Sequence, residues 1–272
     1  MQYRLLKALA LAVFACAIVA VPASAAPTWA PASSAAIHPG VQTLTDGAQC
    51  TANFVFYDAS NVYLGQAAHC SGTGTAMETN GCDSGSLPIG TSVDIGGSQP
   101  GTMVYNSWLT MQAAGETNAD ACAFNDLALV KVAAADVGKV NPSIPSWGGP
   151  TGIDTNGTAQ GDTVLSYGNS SLRGGITQLS PKQGKSLGDD GNGWSHTVYT
   201  VTPGIPGDSG SAFLNASGQA LGVLSTVAIA PLAGSNGVGD IAKELAYANS
   251  TGGLGVTLAN GTEPFTGSQL PI

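Results

Sequence analysis

Charge is scarce in this chain: of 272 residues only 9% are Asp, Glu, Lys or Arg, and just 8 are basic. With 17 acidic residues the formal net charge is −9, which excludes a phosphate-tracking nucleic-acid binder and a protein drawn to anionic membrane. Three histidines and the absence of any C-x-x-C spacing argue against a zinc site, and no loop has the Asp spacing of a calcium site. No metal or organic cofactor is therefore called for. Beyond the first 25 residues no apolar run reaches the roughly 20 residues that a membrane span needs. There is no repeat of 20 to 50 residues, and strands do not alternate regularly with helices, so solenoids and parallel α/β sheets are set aside.

What is present begins with an export signal. Arg4 and Lys7 precede an apolar run from Ala8 to Val21, followed by Ala23-Ser24-Ala25 ahead of Ala26-Pro27, the pattern of a secretory signal peptide covering residues 1–25. Its removal takes two bases and no acid, leaving 6 bases against 17 acids and a net charge of −11. The expected mature protein is secreted, extracellular, monomeric and free of the membrane. Cys16 leaves with the signal; Cys50, Cys70, Cys82 and Cys122 remain, an even set in an oxidising compartment whose pairing the spacing alone leaves open.

Short runs rich in Val, Thr, Tyr and Phe recur between turn signals and predict strands over 51–57, 62–68, 127–132, 162–167, 197–201 and 220–227. Clusters such as Asn141-Pro142-Ser143 and Gly188 to Gly193 mark the breaks. Gly149-Pro150 marks a boundary between two halves, 26–150 and 151–272. One helix is predicted, capped by Asp240 and carrying Ile241, Leu245 and Ala248 on one face until Gly252-Gly253 stops it. The fold class expected is all-β, with a helix near the C-terminus.

Three short segments carry chemistry: Ala67-Ala68-His69-Cys70, Asn125-Asp126-Leu127-Ala128-Leu129-Val130 and Gly207-Asp208-Ser209-Gly210-Ser211. Taken singly, each has an ordinary structural explanation: a packed core histidine, a turn carboxylate, a serine in a glycine turn. Taken together they supply a base, an orienting acid and a nucleophile, while the N–H groups of Gly207 and Ser209 supply donors for an oxyanion. In that order, with 57 residues between His69 and Asp126 and 83 between Asp126 and Ser209, they resemble the signature segments of the chymotrypsin-like (trypsin-like) serine proteases. The chain order His, Asp, Ser differs from those of subtilisin-like enzymes and α/β-hydrolases.

The resemblance implies two antiparallel six-stranded β-barrels, with His69 and Asp126 on the first and Ser209 on the second. It implies a polypeptide substrate cut through an acyl-enzyme, disulfides Cys50–Cys70 and Cys82–Cys122, and support of Asp126 by Ser225. Pro203 would lie at the bottom of the primary pocket and Ser225, Thr226 and Val227 along its wall. An uncharged pocket narrowed by Val227 predicts small or medium apolar side chains rather than Arg or Lys. A glutamate-preferring protease is the alternative, which some relatives achieve with a histidine where this chain has Leu224; His196, in the strand leading toward the nucleophile, is the candidate substitute. A non-catalytic binding module on the same fold is the other alternative.

The chain also departs from the family. No basic residue followed by Ile-Val-Gly-Gly precedes Cys50, so there is no sign of the activation site whose new amino terminus pairs with Asp208. Buried alone, Asp208 would be costly. The mature N-terminus, Arg173, Lys182 and Lys185 are the candidate partners, and backbone donors are another.

Overall fold

In the computed structural model, residues 27–75, 79–228 and 232–267 are described. The expected signal peptide, its cleavage site and Cys16 lie outside them. The first half begins with a hairpin, β1 (Gln42–Thr45) and β2 (Ala48–Thr51), whose turn Asp46-Gly47 takes positive φ at both positions. Then follow β3 (Val55–Tyr57), β4 (Val62–Ala67), β5 (Ser92–Val93), β6 (Gly101–Asn106), the helices α1 (Ser107–Ala114) and α2 (Ala119–Phe124), and β7 (Leu127–Lys131). The second half contains β8 (Thr163–Tyr167), β9 (Pro181–Asp190), β10 (Ser195–Thr200), β11 (Ala212–Asn215), β12 (Ala220–Val227), β13 (Asn236–Asp240) and α3 (Ile241–Ser250), and the chain then returns as β14 (Thr257–Leu258).

All strand pairs are antiparallel. The second half closes into a six-stranded barrel in the order β10-β13-β12-β11-β8-β9. The first half forms a six-stranded sheet, β14-β3-β4-β7-β6-β5. The β1–β2 hairpin joins its β5 edge through reciprocal backbone bonds between Leu44 and Asp94, and β2 runs on into β3. Barrel closure thus removes the free edges of one half, and a hairpin covers an edge of the other.

The largest apolar cluster lies between the halves. Phe54, Phe56, Leu127 and Leu129 of the first meet Leu165, Leu214 and Val223 of the second, with Ile241, Leu245 and Ala248 of α3 closing one side. A second cluster, including Val55, Leu64, Met103 and Val130, fills the first half, whereas the second barrel's own cluster is small: Val164, Val198, Phe213, Leu221, Leu224 and Val238. The face predicted for α3 is the buried one, and its Asp240 cap accepts the Lys243 N–H at 2.8 Å.

Three features differ from the sequence expectation. α1 and α2 were not anticipated; Asn106 and Asn118 cap them, and α1 ends at Gly115 in the left-handed conformation. The cluster from Gly188 was read as a break, yet β9 continues to Asp190 before a short turn of helix at Gly191–Gly193. The tail after α3, without a predicted role, pairs through Thr257 and Leu258 with Tyr57 and Phe56, so residues from beyond the second barrel complete the first sheet.

Candidate active site

His69 follows β4 directly, on a short 3-10 turn. Disulfide Cys50–Cys70 ties that turn to β2, and Cys82–Cys122 joins the 79–93 loop to α2, four residues ahead of Asp126. Asp126 begins β7's approach beside β4 and is nearly inaccessible to solvent. Its carboxylate is fully engaged: Oδ2 lies 2.6 Å from His69 Nδ1 and accepts the Ser225 hydroxyl at 2.6 Å, and Oδ1 accepts the His69 backbone N–H at 2.9 Å. The Asp126 carbonyl accepts Ala68 N–H at 2.7 Å. Burial penalises the His69 cation, yet the charge and hydrogen bond of Asp126 outweigh it, so the imidazole titrates above the ordinary histidine value. With the ring's Nδ1–H directed at Asp126, Nε2 is left as the basic nitrogen.

Ser209 sits on the loop between β10 and β11, pressed against the first half. Its carbonyl accepts Thr51 N–H at 2.8 Å, and Gly210, at φ +86°, lies so close to Thr51 and Ala67 that a side chain there would collide with their backbone. The loop therefore abuts both ends of the Cys50–Cys70 region that carries His69. Two backbone donors are oriented by their own peptides. The Pro206 carbonyl is held by Ser170 Oγ at 2.6 Å, which turns Gly207 N–H to the opposite side; the Asp208 carbonyl is held by the Ser211 N–H and hydroxyl, which does the same for Ser209 N–H. Neither N–H donates to any acceptor among the described residues. Gly207 (φ +92°) fits only as glycine, because a Cβ would strike Gln49 and Ser170. Its carbonyl is fixed by Gln49 Nε2 at 2.9 Å and Thr51 Oγ1 at 2.8 Å.

Asp208 turns inward with no exposed surface and meets two cations: Arg173 Nη2 at 2.7 Å and Lys182 Nζ at 2.9 Å. Ser170 and Ile205 N–H add bonds of 3.0 and 3.2 Å to the carboxylate. Burial would raise its proton affinity, but Lys182 and Arg173 hold it below the usual carboxylate range. Of the candidate partners, Lys185 instead reaches Thr163 at 3.0 Å. Lys182 is itself entirely buried, and burial pulls its ammonium below the ordinary lysine value against the pull of Asp208.

The predicted pocket residues lie on two segments. Pro203 lies on one, with its carbonyl accepting from Arg173 Nη2 at 2.9 Å. Ser225, Thr226 and Val227 lie on the other, at the end of β12 where the strand passes from buried to exposed. The sequence reading missed the residue that joins these segments: Asn236, fully buried, accepts Gly204 N–H at 2.8 Å and donates to the Thr226 carbonyl at 3.2 Å. Its signal was weak, since Ser235-Asn236-Gly237 reads as an ordinary turn. His196 is fully buried, with Nδ1 2.7 Å from Asp189 and Nε2 3.1 Å from Asp240. Both of its ring nitrogens thus face carboxylates of this chain.

The chain has the chymotrypsin-like serine protease fold. Among solved structures it is similar to protease A of Thermobifida fusca (19% identity, covering 84% of this chain and 100% of that one, TM-score 0.52) and to the Nocardiopsis protease (18%, 82% and 98%, TM-score 0.51). It is similar to the same degree to a glutamic acid specific serine protease that uses a histidine triad in substrate binding (18%, 82% and 100%, TM-score 0.51). No family model matches the chain, and no curated protein matches it by sequence.

Proposed function

We propose that the protein is a secreted serine endopeptidase that cleaves polypeptides through an acyl-enzyme. The observation that carries this reading is the fully engaged Asp126, which fixes the His69 ring in one tautomer beside a serine loop whose Gly207 and Ser209 N–H groups have no acceptor among the described residues. Ser209 Oγ attacks the scissile carbonyl while His69 Nε2 takes its proton. The oxyanion is received by the N–H groups of Gly207 and Ser209, and His69 then gives the proton to the leaving amine. Water, deprotonated by the same nitrogen, releases the acyl group. Asp126 keeps its charge throughout and stabilises the imidazolium.

The Asp208 ion pairs support an enzyme that needs no newly cut amino terminus, because Arg173 and Lys182 already occupy the place where such a terminus would act. The residues assigned to the pocket, Pro203, Ser225, Thr226, Val227 and the joining Asn236, carry no charged side chain, which favours small or medium apolar residues. The apolar reading is favoured over the glutamate one by Leu224, buried ahead of Ser225, and by His196, which is engaged by two aspartates. Two disulfides suit an exported protein, and no helix among the described residues is long and apolar enough to cross a membrane.

The test is labelling of the mature protein by a fluorophosphonate, alongside cleavage of a peptide library. Labelling is expected in the wild type and absent in Ser209→Ala, whose peptidase rate should fall at least about 10⁴-fold. Activity should decline as pH drops through the raised His69 titration, since the base works only when neutral. A folded wild type that takes no label would favour a binding module, and a dominant preference for basic residues would sink the pocket assignment.

A further inference from the structure

α3 directs a carboxyl group into the wall behind Asp126. Glu244 has no exposed surface, and its Oε1 accepts the Asp126 backbone N–H at 2.8 Å. Its Oε2 is buried with no hydrogen-bond partner among the described residues, and the hydroxyl of buried Tyr105 is in the same position. The approach is built in: a Cβ on Gly239 would collide with Glu244 Oε1 and crowd the Phe124 carbonyl. No cation pairs with this carboxyl among the described residues. The charged groups that act on it are Asp126 and Asp240, both of the same sign, and burial comes first among the causes that push it well above the ordinary carboxyl range. An isolated carboxylate in such surroundings takes up a proton rather than remain charged.

We propose that Glu244 is a positioning residue for the His69–Asp126 pair, an uncharged carboxylic acid that holds the Asp126 main chain from behind through its carbonyl oxygen. The proton resides on Oε2, because Oε1 is occupied as the acceptor. Asp126 is then gripped from both halves of the molecule: Ala68 and His69 bind it from the first, Ser225 and Glu244 from the second. Neutrality matters as much as the grip. A second negative charge behind Asp126 would strengthen the imidazolium and move the working range of His69 toward higher pH. A neutral acid supplies the acceptor without that penalty.

This inference rests on the triad reading above, and the experiment separates the two. Glu244→Gln keeps a neutral carbonyl acceptor, whereas Glu244→Leu keeps the bulk and removes the acceptor. Glu244→Gln is expected to retain kcat within about twofold with an unmoved acid limb in kcat/KM. Glu244→Leu is expected to lose about 10- to 100-fold in kcat at little change in KM, with the acid limb shifted to lower pH as Asp126 loosens from His69. The infrared carbonyl band of a protonated carboxylic acid should be present in the wild type at neutral pH and missing in Glu244→Gln. An acid limb that moves down by half a pH unit in Glu244→Gln, or absence of that band from the wild type, overturns the neutral assignment. Unchanged kcat and pH profile in a folded Glu244→Leu overturns the positioning role. If Glu244→Leu does not fold, the downfield His69 Nδ1–H proton resonance decides, kept in Glu244→Gln on this proposal and lost or broadened if the contact is not reproduced by a neutral acceptor. If wild type takes no fluorophosphonate the triad reading alone fails, and the resonance and infrared band still judge Glu244.

Discussion

The two halves of the molecule hold their functional loops by different chemistry. In the first, both disulfides flank the residues of interest, Cys50–Cys70 beside His69 and Cys82–Cys122 just before Asp126, over an apolar core. In the second, among the described residues, there is no disulfide; the interior instead carries Asp208 between Arg173 and Lys182, and His196 between Asp189 and Asp240. The small apolar cluster of that barrel is the other side of the same fact. Covalent links make one loop insensitive to pH but dependent on redox state. Buried charge makes the other indifferent to reductant but dependent on every partner being present and correctly protonated.

The sharpest way to break the comparison is to strip the second half of one charge. Asp208→Ala leaves Arg173 and Lys182 buried without their carboxylate, and it should cost at least about 3 to 5 kcal/mol in urea unfolding together with most of the peptidase activity. Next in size is the first half's covalent link. Cys82→Ser with Cys122→Ser opens a loop spanning 40 residues, an expected loss of about 4 kcal/mol on the chain-entropy estimate. Reductant should abolish the difference between this double variant and the wild type at that site, and should leave the cost of Asp208→Ala in place.

The smallest effect concerns His196. Burial opposes its charge, but the hydrogen bonds and charges of Asp240 and Asp189 win and raise its folded titration above the unfolded one. The stability it contributes is therefore complete below the unfolded histidine value and disappears as pH climbs through the raised folded value. Thermal scans of the wild type should show Tm falling across that window, at no more than about 1.4 kcal/mol per pH unit for one group, and His196→Gln should flatten the curve. A wild-type Tm that rises with pH there would contradict the assignment.

How much of this was legible beforehand depended on the range of the interaction. Ala67-Ala68-His69-Cys70, Asn125 to Val130 and Gly207 to Ser211 are contiguous and chemically particular, so their resemblance to a fold was readable before any coordinate. α3 was readable because Asp240, Ile241, Leu245 and Ala248 state a cap and a face in nine residues. β9 was not, because a strand that turns Lys182, Gln183 and Ser186 inward carries no apolar alternation; its polarity reflects what it delivers to Asp208. α1 was hidden for a similar reason, since Asn106 and Gly115 bound it but its buried apolar residues, Trp108 and Met111, are only three apart. Asn236 and Glu244 act across 32 and 118 residues, distances at which local sequence carries no signal. The choice among partners of Asp208 was likewise a question of three-dimensional reach, which admitted Arg173 and Lys182 and left Lys185 on Thr163.

β14 has an implication for the order of assembly. Thr257 pairs with Tyr57 and Leu258 with Phe56, so the edge of the sheet that bears His69 is furnished by chain synthesised after the entire second barrel. The half made first cannot finish before the half made last, and a break at Gly149-Pro150 would yield one fragment short of a strand and another with an unhoused tail. Loop closure over such a separation is slow to find. The sheet behind His69 and the loop of Ser209 are consequently completed as a single late event, and on the proposed function a partly made chain would be a poor hydrolase.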